Sequence, residues 1–215
     1  MKFRTIFPSH PIATREPTMI TLRHPLLVLC AATMSGALPA ALAAADVPKA
    51  ALPANVASPA GDGLWIPSGY MGETASITMD PACSEKPHEG SNTCTKVIYA
   101  KNDGWGGVVW QSPQDDWGNA AGGFNLNGAT KLVVWARGKD GGEKVKFGFG
   151  VIGKDKPFPD SDKGEIEVVL TSDWKEYDIP LAGKDLSDIK SGFDWVVGGQ
   201  GGTLTFFLSQ VHYEK

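Results

Sequence analysis

The clearest alternation of apolar and polar positions lies within residues 122–150, GGFNLNGATKLVVWARGKDGGEKVKFGFG. Leu132, Val134 and Ala136 alternate with Val133, Trp135 and Arg137, and Val145, Phe147 and Phe149 alternate with Lys144, Lys146 and Gly148. A two-residue period with one apolar set predicts strands over 131–137 and 143–149, each with one face on a core. The glycine-bearing stretch 138–142 between them predicts a tight turn, because glycine accepts the positive φ of such corners. The pair reads as two neighbouring strands. Trp135, Arg137, Lys144 and Lys146 then share the face turned away from the core.

The same period recurs along the chain. Strands are expected at 64–72, 76–79, 94–100, 105–111, 165–170, 174–181, 192–197 and 203–213. Ile166, Val168 and Leu170 form one inward set, and Tyr177, Ile179 and Leu181 form another. Phe193, Trp195 and Val197 alternate in the next strand. In the last, Leu204, Phe206 and Leu208 hold one phase while Val211 and Tyr213 hold the other, which predicts a bulge near Ser209 and Gln210. One short helical turn is expected over 183–189. About nine or ten closely spaced strands with glycine turns and no amphipathic helix imply an all-β antiparallel sandwich.

The N-terminal segment changes the picture of where the domain starts. Residues 26–45 are apolar and end in the mostly small run AALAAA, with Arg23 and His24 in front. This is the pattern of a secretory signal, with cleavage near 43–45, so residues 1–45 are read as a signal peptide. Met19 would be a more ordinary start, which makes the first 18 residues a candidate extension. Residues 46–62, rich in Ala and Pro and without periodicity, read as a flexible linker, and 63–215 as one β-sandwich domain. The expected location is secreted or periplasmic, with no membrane insertion once the signal is removed.

Charge and cysteine content narrow the partners. From Asp46 onward the chain holds 16 basic and 23 acidic residues, a formal −7. That excludes the basic footprint nucleic acid requires and disfavours an anionic membrane surface. Cys83 and Cys94, eleven residues apart in an exported chain, are expected to form one disulfide. No metal spacing such as C-x-x-C occurs.

Several motifs resemble the galactose-binding-like jelly-roll domains of extracellular carbohydrate-binding modules. They are the run Gly128-Ala129-Thr130-Lys131-Leu132, then Trp135-Ala136-Arg137-Gly138, Ser172-Asp173-Trp174-Lys175-Glu176-Tyr177, Gly192-Phe193-Asp194-Trp195-Val196, and the closing Phe206-Phe207-Leu208 through Tyr213. The likeness spans nearly all of 64–214 and implies a jelly roll that binds oligo- or polysaccharide without catalysis. The family commonly carries an acidic residue after the Phe-Leu of its last strand, often tied to a structural calcium. Ser209 and Gln210 stand there instead, and a hard cation favours carboxylate oxygens, which argues against calcium at that place. The stretch 160–164, DSDKG, resembles a calcium loop but lacks its flanking helices and full ligand spacing.

Sugars are held by aromatic rings under their C–H faces and by a few placed hydrogen-bonding groups. Trp105, Trp110 and Trp117, with Gln111 and Asp116 close in sequence, form one candidate carbohydrate-binding patch. Trp135 and Arg137 form a second on the open face of their strand. Each has a structural alternative: Trp110 as core, and Trp135 as an outer-face ring covered by lysine stems. Catalysis has little support. The domain's histidines, His88 and His212, are far apart, and no Gly-x-Ser-x-Gly elbow or phosphate-cradling loop occurs. The rival readings are an envelope structural or adhesion module that binds another protein, and a small polysaccharide hydrolase or lyase.

Overall fold

The alternating segments fold as strands in the computed structural model, which describes residues 46–57 and 62–215. The expected signal segment lies outside these residues. In chain order the strands are β1 (Ala54–Ala57), β2 (Ile66–Gly72), β3 (Ile77–Cys83), β4 (Cys94–Tyr99), β5 (Trp105–Gln111) and β6 (Lys131–Gly138). They continue as β7 (Lys144–Phe149), β8 (Gly164–Val169), β9 (Lys175–Pro180), β10 (Ser191–Gly198) and β11 (Leu204–Glu214). The stretch 183–189, expected to make a helical turn, is a turn and extended chain. Among the described residues no helix is long and apolar enough to cross a membrane.

Two antiparallel sheets result. One has the order β3-β4-β11-β6-β9, with β1 also paired to β11, and the other has the order β2-β5-β10-β7-β8. The strands β6 and β7 therefore do not pair with each other. Each lies in a different sheet, and the glycine turn between them is an arch across the sandwich. The reason is that both apolar sets are needed on facing surfaces. Leu132, Val134 and Ala136 from β6, and Val145, Phe147 and Phe149 from β7, all enter one buried cluster. A consequence is that Trp135 and Arg137 lie on the outside of one sheet, and Lys144 and Lys146 on the outside of the other.

Aromatic pairs bridge the layers. Trp195 meets Phe206 at 5.3 Å, Phe147 meets Tyr177 at 6.2 Å, and Phe149 meets Tyr213 edge-on at 6.0 Å. Such tilted and edge-to-face contacts add to the burial of large rings. The Tyr213 hydroxyl donates to the Gly192 carbonyl at 2.8 Å, which satisfies its polar end in the core. The expected bulge is present: the β11–β6 register shifts between Leu208 and Val211, so both apolar phases of β11 face inward.

Residues 46–57, expected as linker, are partly built into the fold. Asn55 pairs with His212 in the β1–β11 ladder. The Ala50 N–H donates to the Asn125 carbonyl at 2.9 Å, and Ala54 and Val56 are buried. Small side chains without periodicity read as linker, yet they fit where a strand must lie close over a neighbour.

Candidate functional site: the outer face of the five-stranded sheet

The register of the five-stranded sheet sets two rows of outward residues side by side. One row is Met71–Gly107–Val196–Lys146–Glu167, and the next is Gly69–Val109–Asp194–Gly148–Glu165. Glycine keeps the floor low: a Cβ at Gly107 would fall 3.0 Å from Met71 Cε. Above this floor is a cleft of about 900 Å³, lined among others by Met71, Trp105, Val196, Lys146, Glu165 and Asp194. Trp105 at the start of β5 is 48% exposed, the largest exposed aromatic surface among the described residues. Its ring lies so close to Gly72 that a Cβ there would sit 3.0 Å from Trp105 Cδ2. Gly72 also has a φ of +67°, which a residue with a side chain rarely adopts.

Asp194 is the unusual group of the cleft. It is 3% exposed, and its Oδ1 is buried with no hydrogen-bond partner. A Cβ at Gly148 would fall 2.8 Å from that oxygen, so the glycine leaves room beside it. Burial pushes the Asp194 carboxyl up to about 7, with Glu165 and Asp160 adding to the rise and Lys146 opposing it. Lys146 does not neutralise it directly, since its Nζ pairs with Glu165 at 3.1 Å.

The cleft wall, residues 150–164, hangs on Asp160. Its carboxylate accepts from the backbone N–H of Ile152 at 2.8 Å, Lys190 at 2.6 Å and Ser191 at 3.0 Å, and from the Ser191 hydroxyl. Burial raises the Asp160 carboxyl above the ordinary range against the pull of these donors. Asp162 binds the Lys184 ammonium and two backbone N–H groups, with its carboxyl held low. Among the described residues no group of three His, Cys, Asp or Glu side chains could hold a metal ion, and the DSDKG stretch serves as a loop clamp.

The residues expected as a loop patch have mostly structural partners. Trp110 is a core ring, 5.1 Å from Phe193. Gln111 is buried, accepts from the Ser68 hydroxyl at 2.9 Å and donates to the Asp116 carbonyl at 2.8 Å. The Asp116 carboxylate accepts from the N–H groups of Gly118, Asn119 and Ala120, closing its own loop. That loop braces the wall, since Phe158 N–H donates to the Gly118 carbonyl at 3.0 Å. Trp117 is half-buried and does not line the cleft. Trp105 alone of the expected residues does.

Trp135 and Arg137 lie on the opposite side of the molecule, under the 84–93 loop. Arg137 packs its guanidinium 3.6 Å from the Phe207 ring centroid, and its Nη2 donates to the Glu85 carbonyl at 2.6 Å. His88 stacks on Trp135 with centroids 4.2 Å apart, and Trp174 Nε1 donates to the Lys86 carbonyl at 2.8 Å. These rings hold a loop. Beneath them, Cys83 and Cys94 are cross-strand partners but both thiols are free, so the expected disulfide is absent; the Cys94 thiol instead donates to the Cys83 carbonyl at 3.3 Å. Burial and the contact with Cys83 push the Cys94 thiol up to about 12, so it stays protonated at neutral pH.

Asp194, Met71 and Val196 were not expected at a site; Lys146 was expected on an outward face, but one shared with Trp135 and Arg137, which lie on the other sheet. Asp194 left a trace in the sequence: it is an acid at the outward phase of a strand flanked by Phe193 and Trp195. The pattern does not say that the 150–164 segment would wall its face.

No protein-family model matches the chain, and no curated protein matches it in sequence. Solved structures are similar in fold. The family 11 carbohydrate-binding module of the cellulosomal cellulase Lic26A-Cel5E of Clostridium thermocellum has a TM-score of 0.50 at 15% identity, covering 78% of this chain and 95% of that one. A family 30 carbohydrate-binding module has a TM-score of 0.54 at 14% identity, covering 77% of this chain and 99% of that one. The chain thus carries the all-β jelly-roll fold of carbohydrate-binding modules.

Proposed function

We propose that this protein is an exported, non-catalytic module that binds oligo- or polysaccharide in the cleft on the outer face of its five-stranded sheet. The observation that carries the reading is the half-exposed Trp105 ring at the rim of a cleft of about 900 Å³, with Asp194 unpartnered in its floor. A sugar ring would lay its C–H face on Trp105 and along Met71 and Val196. Its hydroxyls would meet Asp194 and the Lys146–Glu165 pair. The two similar modules share this fold, which supports a saccharide partner. The apolar N-terminal run ending in small residues supports export. Open single sites of this kind bind in the micromolar to millimolar range.

The test is a fluorescence titration of the full chain against soluble β-glucan, galactan, xylan, polygalacturonate and alginate. A saturable shift that Trp105→Ala removes, without release of reducing ends, is expected. Silence across the panel, combined with self-association in ultracentrifugation, would instead favour the envelope protein-binding role.

A further inference from the structure

Asp194 is placed to do more than fill the floor of the cleft. Asp194 lines the cleft while only 3% exposed, its buried Oδ1 has no hydrogen-bond partner, and Gly148 opposite sets no side chain against that oxygen. A buried acid of this kind is tolerated because it holds a proton; ionised, it would need donors. Among the described residues none donates to Oδ1. Lys146 of β7 is committed to Glu165 of β8, Asp160 of the wall takes up its own N–H donors, and Val109 across on β5 is apolar. The remaining group within electrostatic reach, the Tyr213 phenol, is buried in the core and bound to the Gly192 carbonyl.

Resting on the saccharide-binding reading, we propose that Asp194 is the pH-sensing acceptor of the cleft, taking hydroxyl hydrogen bonds from a neutral saccharide and releasing its proton as the saccharide binds. The step balances simply. The Asp194 O–H bond breaks, the proton passes to buffer, and the carboxylate left behind accepts the sugar hydroxyl. Charge-assisted bonds of this type are stronger than neutral ones, so the ionised form binds better. Burial has already raised the carboxyl to about 7 in the free protein. Each unit by which the sugar lowers that value adds about tenfold to the affinity above pH 7. The carboxylate state also sits beside Glu165, which disfavours uronic-acid units over neutral ones.

The experiment is calorimetric titration of the full chain with soluble β-glucan, or the panel's strongest neutral binder, at pH 6, 7 and 8 in phosphate and in Tris. Affinity should rise about threefold to tenfold across that range, and the heat near pH 7 should depend on the buffer because a proton is released. Asp194→Asn should bind with a flat pH profile and no buffer dependence. If the wild type binds with neither effect, or if Asp194→Asn keeps both, Asp194 is not the acceptor although the cleft still binds sugar. If no saccharide binds at any pH, the saccharide-binding reading itself fails.

Discussion

The outer faces of the two sheets make an instructive pair. The six-stranded sheet presents Trp135, Trp174, Phe207 and Arg137, the denser aromatic patch, and the 84–93 loop with His88 closes over it. The five-stranded sheet presents one ring, Trp105, and one unpartnered carboxyl, Asp194, under an open cleft. Under the proposed reading, ring count does not mark the binding face. A ring already stacked and a donor already bound have nothing left to offer a ligand, while a half-exposed ring beside an unsatisfied acceptor does. The closed face contributes stability, and the open one holds its groups in reserve at some cost to stability.

The largest expected effect exposes that cost. The folded-state value of Asp194 lies above its ordinary value of 3.8, at about 7, so the folded protein holds this proton where the unfolded chain has lost it. Stability from this group is fully present below about pH 4 and is lost as pH rises through about 7. A shift of roughly three units corresponds to on the order of 4 kcal/mol. Chemical denaturation from pH 4 to pH 8 should show Asp194→Asn gaining relative to wild type by that order as pH rises. A constant difference would mean that Asp194 is ionised throughout.

Next, Arg137→Met should cost about 2–3 kcal/mol, since it removes the cation over Phe207 and the donor to Glu85. Saccharide affinity should stay the same, and a parallel loss of binding would reopen the six-stranded face as a site. Trp105→Ala should do the reverse. Affinity falls about tenfold, or roughly 1–2 kcal/mol, with little change in the thermal midpoint because half of the ring is already in water. A large drop in midpoint would make Trp105 a packing residue. The smallest effect is expected from Lys86→Ala, which deletes an exposed ion pair with Asp173 at 2.6 Å. Such pairs add almost nothing, so thermal melting should not move unless the whole loop depends on it.

Much of the fold was legible in the chain. Strand positions, the inward phases of β6 to β11 and the bulge after Leu208 follow from the two-residue period. The N-terminal strand β1 was not legible, because Ala54-Asn55-Val56-Ala57 is too short and small to show a period. Of the expected site, Trp105 lines the cleft, whereas Gln111 and Asp116 turn their polar atoms to Ser68 and to backbone N–H groups. Gly-rich polar loops look alike in sequence whether their carboxylates face a ligand or their own backbone.

By itself the sequence determined which side of β6 to β11 is buried, since alternation is a local property of a pleated chain. Only the tertiary structure decided who pairs with whom. The set Val145, Phe147 and Phe149 is equally satisfied beside β6 in one sheet or facing it across the core, and packing both sheets' apolar faces together selects the second. The same choice sends Lys146 and Asp194 to one outer face and Arg137 to the other. Which face stays open then depends on loops that cross long sequence distances, 84–93 over one and 150–164 beside the other, and no local pattern encodes that.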